Sequence, residues 1–123
     1  MSKTTFLIVD DAAFMRRVLR GIIETCSDYE ITGEASTGIE AIELAQELKP
    51  DIITMDITMP QMNGLDAVKE ILKICPSSNI IMVSAMSQQN IVIDAVKVGA
   101  KDFIVKPFEE ERVLNAIKRV LES

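Results

Sequence analysis

Short apolar runs and amphipathic segments alternate five times along this chain. The runs cover residues 6–9, 30–35, 51–55, 80–84 and 102–105. Three of them are almost continuous in β-branched and large apolar residues, which is typical of strands that are buried on both faces. The run at 30–35 is the most polar, so we expect it to form an edge strand. The pattern therefore predicts five strands, most of them buried.

Each segment that follows a run carries apolar residues at helical spacing. Thr37 and Glu40 fit a capping box at the start of the second helix, Ser87 is placed to cap the fourth, and Gly99 is placed to end it. The five predicted apolar stripes are Phe14, Met15, Val18, Leu19, Ile22 and Ile23; Ala41, Leu44, Ala45 and Leu48; Leu65, Val68, Ile71 and Leu72; Val92, Ala95 and Val96; and Val113, Leu114, Ile117, Val120 and Leu121.

Five strands that alternate with five helices predict one α/β domain over residues 1–123. We expect a doubly wound (βα)5, flavodoxin-like fold with a parallel five-stranded sheet, right-handed crossovers and helices on both faces. We assume the strand order 2-1-3-4-5. Ligands of such sheets bind beyond the carboxyl ends of the strands, so the residues there are the candidate site.

Polar side chains follow four of the predicted strands. Asp10 and Asp11 follow the first strand, Asp56 the third, Ser84 ends the fourth, and Lys106 and Pro107 follow the fifth. These four strands are neighbours in the assumed order, so their ends bring together three carboxylates, a hydroxyl and an ammonium group. Three close carboxylates repel one another unless a cation intervenes, and oxygen ligands suit Mg²⁺. The set predicts a phosphoryl site in which Asp56 attacks phosphorus while Mg²⁺ and Lys106 neutralise the phosphoryl oxygens.

Each of these residues also has a simpler interpretation. Asp10 and Asp11 fit a helix cap, Asp56 a turn, Ser84 a capping serine and Lys106 a surface lysine. Their common position at the carboxyl ends of adjacent strands favours a shared site over four unrelated local roles.

Composition excludes several classes of function. The formal net charge is −6, with 13 basic and 19 acidic residues, which argues against a nucleic-acid-binding surface. Without histidine, the chain has no Ser-His or Cys-His nucleophile and no histidine metal site. Cys26 and Cys75 lack metal-ligand spacing and are expected to be reduced thiols. No apolar run is long enough to span a membrane, and the first run is too short and too quickly followed by acids for a signal peptide, so we expect a cytoplasmic protein.

Four motifs carry a family resemblance that covers residues 6–121. The segments LIVDD, DIITMDITMPQMNG, VSA and DFIVKPF resemble the receiver domain of two-component response regulators, and most closely its stand-alone chemotaxis members. The resemblance implies that Asp56 is the phospho-acceptor. It also implies that Asp10, Asp11 and Asp56 bind Mg²⁺, with Asp11 the more direct ligand of the two leading acids, and that the backbone carbonyl of Thr58 completes the metal site.

The same resemblance implies roles for the later motifs. Ser84 matches the hydroxyl that moves toward the phosphoryl group, and Lys106 matches the lysine that contacts it. Pro107 matches a proline preceded by a cis peptide bond. Phe103 matches the aromatic switch residue, with the difference that the best-known relatives have Tyr there and this chain has no hydroxyl to bond a partner. Ser84 replaces the Thr of those relatives and keeps the hydroxyl.

The implied function is a phosphorylation switch with a histidine kinase as donor. The implied partners are a flagellar motor switch protein or its adaptor and a phosphatase, with no nucleic acid, no membrane, no output domain and a monomeric state. One alternative is a relay intermediate that passes phosphate to a phosphotransferase protein. Another is an Asp-nucleophile phosphohydrolase, which usually has a second Asp where this chain has Thr58. A third is a flavodoxin-like cofactor binder, which the scarcity of aromatic residues disfavours.

Overall fold

Strands and helices alternate through the computed structural model, which describes residues 3–123, so the first two residues of the predicted domain lie outside it. The strands are β1 (Thr4–Val9), β2 (Tyr29–Ala35), β3 (Ile52–Met55), β4 (Asn79–Ser84) and β5 (Asp102–Val105). The helices are α1 (Ala13–Ile23), α2 (Gly38–Leu48), α3 (Gly64–Ile74), α4 (Gln89–Val98) and α5 (Glu110–Glu122). The predicted alternation is confirmed over the described residues.

The sheet is parallel and its strand order is β2-β1-β3-β4-β5, as assumed from the sequence. The polar strand β2 forms one edge, which confirms that prediction. Since β1, β3, β4 and β5 are consecutive in the sheet, the residues that follow them lie along one continuous stretch of its carboxyl edge.

Two apolar clusters cover the two faces of the sheet. One joins β-strand residues to α2, α3 and α4, and the other joins the alternate strand residues to α1 and α5. The central strands are buried on both faces, as the apolar runs predicted. Met55 and Met82 are fully buried, and Cys26 and Cys75 are both free thiols.

The helix ends agree with most of the capping predictions. The hydroxyl of Thr37 accepts a hydrogen bond from the amide of Glu40, and the Glu40 carboxylate reaches back to the amide of Ser36 rather than to that of Thr37. Gly99 ends α4 in the left-handed region at φ 116°. The predicted Ser87 cap is wrong, because the residue that precedes α4 is Gln88 and it makes no side-chain cap hydrogen bond.

Three members of the predicted apolar stripes lie at the surface. Phe14 is 69% exposed, Val96 is 63% exposed and Leu121 is 41% exposed. The remaining α1 stripe packs against the sheet, with Leu19, Ile22 and Ile23 buried. Within the described residues, no helix is long and apolar enough to cross a membrane.

Candidate functional site

The side chains predicted at the strand ends lie at one edge of the sheet. Asp10 follows β1, Asp56 follows β3, Ser84 is the last residue of β4 and Lys106 follows β5. Asp10, Asp56 and Ser84 are all buried, so this edge encloses polar groups that proteins usually keep in water.

Three carboxylates form a cluster that we call the acidic cluster: Asp10, Asp11 and Asp56. Each offers an oxygen atom, and these oxygens all lie within 4.8 Å of one another. Asp10 and Asp56 are buried, while Asp11 is exposed. A donor set made only of carboxylate oxygens fits a hard divalent cation, and such a cation would offset the repulsion within the cluster.

Asp10 is held at four of its polar atoms. Its amide donates to the carbonyl of Ala35 at 3.0 Å, and its backbone carbonyl accepts from Arg16 at 2.7 Å. One carboxylate oxygen accepts from the Ala12 amide at 2.9 Å, and the other accepts from Lys106 at 2.7 Å. The helix-cap interpretation of this acid is wrong, because the N-cap residue of α1 is Ala12 and no side chain caps the helix there. The first Asp10 oxygen accepts only from the amide of Ala12 itself.

The negative charge of the Asp56 carboxylate is less well neutralised by Lys106 than that of Asp10. The ammonium nitrogen of Lys106 lies 3.7 Å from its nearest carboxylate oxygen. Burial raises the pKa of Asp56 to about 6, a rise that Lys106 opposes and the carboxylates of Asp10 and Asp11 reinforce. The group combines burial, neighbouring acids and a perturbed pKa, a combination that is typical of functional carboxylates.

The other predicted site residues lie around this cluster. The hydroxyl oxygen of Ser84 accepts a hydrogen bond from the Met86 amide at 3.1 Å. Thr58 is exposed two residues beyond Asp56, and its hydroxyl contacts the Met86 sulfur at 3.2 Å, which connects the β3–α3 and β4–α4 loops. The Thr58 backbone carbonyl as a metal ligand stays a prediction.

The predicted switch residue lies within β5. Phe103 is half-buried and packs at the margin of the core cluster that covers the α4 face. Its backbone carbonyl accepts a hydrogen bond from Arg112 at 2.9 Å. The peptide bond between Lys106 and Pro107 is cis.

Two residues that matter to this site were not singled out from the sequence. Gly64, at the start of α3, is so close to the backbone of Asp56 that a Cβ atom there would overlap the Asp56 carbonyl oxygen. The sequence around Asn63 and Gly64 gave no signal of this contact. Arg16, which binds the Asp10 carbonyl, carried no sequence signal beyond its place on a helix.

Comparisons with known proteins agree with this geometry. The sequence pattern of the family described as "Response regulator receiver domain" matches residues 6–118. The chain is 63% identical over 114 residues to a chemotaxis protein CheY of Thermotoga maritima. This alignment covers 93% of this chain and 94% of that protein. It is 54% identical over 115 residues to the CheY of Bacillus subtilis, and this alignment covers 94% of this chain and 95% of that protein.

Solved structures of receiver domains have the same fold as this chain. The response regulator domain of Thermotoga maritima CheB superposes with a TM-score of 0.90 at 41% identity, covering 98% of both chains. A chain in the CheX–CheY complex with BeF3 and Mg²⁺ from Borrelia burgdorferi superposes with a TM-score of 0.93 at 34% identity, covering 98% of this chain and 90% of that one. The chain described here belongs to the family of response regulator receiver domains.

Proposed function

We propose that this protein is a chemotaxis response regulator that is activated when a histidine kinase phosphorylates Asp56. The observation that carries the proposal is the acidic cluster beside Lys106 at the carboxyl edge of the sheet. The similarity to CheY proteins along nearly the whole chain supports the chemotaxis assignment. The protein acts as a signalling switch in the cytoplasm rather than as an enzyme of metabolism.

The acidic cluster and the backbone carbonyl of Thr58 are the groups that would hold Mg²⁺. When bound, Mg²⁺ supplies positive charge that offsets both the carboxylates and the oxygens of an incoming phosphoryl group. The oxygen-only donor set fits this ion, and Asp11 is the exposed member of the cluster.

Asp56 is the nucleophile of the proposed transfer. A carboxylate oxygen of Asp56 forms a bond to phosphorus while the bond from phosphorus to the donor nitrogen of the kinase histidine breaks, and the electron pair leaves with that nitrogen. With a pKa of about 6, Asp56 is mostly ionised at neutral pH, which leaves it free to attack. Lys106, 3.7 Å from Asp56, is placed to contact the phosphoryl oxygens.

The conformational change then extends from the phosphorylated site to the protein surface. The new charge attracts the Ser84 hydroxyl, the β4–α4 loop follows, and Phe103 moves toward the space that this loop leaves. The face formed by α4, β5 and α5 carries exposed apolar residues at Ile93, Val96 and Val105, which suit a protein partner. We propose a motor switch protein or its adaptor as that partner, and a phosphatase as the protein that resets the switch.

The deciding experiment is phosphorylation by acetyl phosphate with Mg²⁺, read by intact-protein mass spectrometry. We expect one added phosphoryl group on the wild type and on Asp94→Ala, an exposed acid on α4, and none on Asp56→Ala. A phosphoryl group that survives in Asp56→Ala would refute the proposed acceptor. Binding of the phosphorylated protein to a phosphotransferase protein instead of a motor component would favour the relay alternative.

A further inference from the structure

We propose that Arg16 is a positioning residue that holds Asp10 in place for metal binding, an inference that rests on the proposed function. The Arg16 guanidinium donates to the Asp10 backbone carbonyl at 2.7 Å and, through Nε, to the Glu34 carboxylate at 3.0 Å. Only 20% of the Arg16 side chain is exposed. Arg16 thus connects the acidic cluster to β2, a strand that contributes no acid to it.

The contact with Asp10 sets the direction of its carboxylate. The Asp10 amide is already bound to Ala35, so Arg16 on the carbonyl leaves the backbone of this residue fixed from both sides. The side chain is then directed toward Ala12 and Lys106, which bind its two oxygens. Groups that orient a metal ligand from outside the coordination sphere commonly change metal affinity when they are removed.

Glu34 supplies the anchor that keeps Arg16 in position. It accepts hydrogen bonds from both Arg16 and Arg20, and those bonds lower the pKa of Glu34 although burial alone would raise it. Arg20 forms this pair without contacting Asp10. The two arginines therefore share Glu34 as a partner, but of the two only Arg16 also donates to the Asp10 carbonyl.

Charge and positioning predict opposite effects on metal binding. A guanidinium beside a divalent-cation site repels the ion, and a cation near the start of α1 is also disfavoured by the helix dipole. If charge were the whole effect, loss of Arg16 would tighten Mg²⁺ binding. If Arg16 positions Asp10, its loss weakens Mg²⁺ binding in spite of the lost repulsion.

The test compares three single variants of the full chain by calorimetric titration with Mg²⁺. Arg16→Met removes the contact with Asp10, Arg20→Met removes a partner of Glu34 and Glu24 that does not contact Asp10, and Arg17→Met removes a neighbouring exposed charge. We expect Arg16→Met to raise the Mg²⁺ Kd about 10-fold. The other two variants should leave it unchanged or lower it. The proposal would be overturned if Arg16→Met bound Mg²⁺ as tightly as Arg17→Met does. It would also be overturned if Arg20→Met raised the Mg²⁺ Kd as much as Arg16→Met does.

A second measurement separates this proposal from the proposed function. Amide hydrogen exchange of Ala12, whose N–H donates to the Asp10 carboxylate, reports the position of Asp10 in metal-free protein. We expect faster exchange in Arg16→Met than in Arg20→Met, and equal rates would contradict the role of Arg16. If the wild type fails to bind Mg²⁺, the proposed function fails, and the exchange rates still decide whether Arg16 positions Asp10.

Phosphorylation kinetics add a readout that a merely structural role would not move. Arg16→Met should need more Mg²⁺ for half-maximal phosphorylation by acetyl phosphate, and its rate at saturating Mg²⁺ should recover. A rate that stays low at every Mg²⁺ concentration would indicate general damage to the fold instead of misplacement of Asp10.

Discussion

The amino group of Lys106 lies 2.7 Å from a carboxylate oxygen of Asp10. The lysine that follows β5 thus neutralises the carboxylate that follows β1. Asp10 is 1% exposed, and this lysine is the cation that its carboxylate contacts among the described residues. Loss of one partner of such a pair leaves a buried charge without compensation, which costs more free energy than the intact pair gains.

Lys106→Met should therefore destabilise the metal-free protein at neutral pH by about 3 kcal/mol, measured by urea unfolding in EDTA. Mg²⁺ should restore part of the loss, because a bound cation takes over the neutralising role. Lys73→Met is the matched control, since the exposed Lys73–Glu70 pair should contribute no more than about 0.5 kcal/mol. Equal losses in the two variants would contradict the importance of the Lys106–Asp10 pair.

Asp56 should make the stability of the metal-free protein depend on pH. Its pKa is about 6 in the folded protein against an ordinary value of 3.8, so the folded state retains a proton that the unfolded state has lost between these values. The stability that this proton contributes is complete below about pH 4 and is lost as pH rises through about 6. The difference of about two pKa units corresponds to about 3 kcal/mol.

Asp56→Asn, which cannot ionise, isolates this effect. Relative to the wild type in EDTA, it should gain about 3 kcal/mol of unfolding free energy between pH 4 and pH 8. Asp94→Asn, at an exposed position on α4, should keep a nearly constant difference from the wild type. A stability difference for Asp56→Asn that does not change with pH would show that burial does not raise the pKa of Asp56.

Gly64→Ala should damage both the fold and the site. Its new methyl group would overlap the Asp56 carbonyl, which can move only if the β3–α3 loop moves with it. We expect a loss of about 3 kcal/mol and slower phosphorylation by acetyl phosphate. Gly21→Ala is the contrasting control, because nothing lies within 4 Å of the added atom and alanine favours the interior of α1 by about 0.5–1 kcal/mol. A fully stable Gly64→Ala protein would refute the close contact.

Thr54→Val should stabilise the protein. Within residues 3–123, the Thr54 hydroxyl is the buried side-chain group that has no hydrogen-bond partner, and valine has nearly the same shape. We expect a gain of about 1 kcal/mol in urea unfolding. Ser78→Ala should have the opposite sign, because the Ser78 hydroxyl donates to the Pro50 carbonyl at 2.6 Å. Destabilisation by Thr54→Val would show that its hydroxyl does have a partner in solution.

Much of the fold could be predicted because its signals are local. Apolar runs identify the strands, and their alternation with helices requires parallel pairing. The predicted convergence of Asp10, Asp56, Ser84 and Lys106 follows from topology, because parallel strands end at the same edge. The residue types at that edge then limit the chemistry.

The remaining features depend on how deeply each helix packs. The spacing of Phe14 fits the apolar stripe of α1, but periodicity gives the direction of a side chain and not whether the core reaches that turn. Arg16, two residues later, contacts Asp10 for a reason that appears only when α1 lies beside β2. The predicted Ser87 cap failed because α4 begins one residue too late for that side chain to reach its first amides.

The pairing of Lys106 with Asp10 joins residues that are 96 positions apart in the chain. On the ribosome, the two leading acids and Asp56 are therefore synthesised well before the lysine that balances them. A nascent chain that has not yet reached Lys106 carries all three acids of the acidic cluster but lacks the lysine that pairs with Asp10. The charge balance at this edge of the sheet is therefore complete only late in synthesis, when almost the entire sheet can assemble.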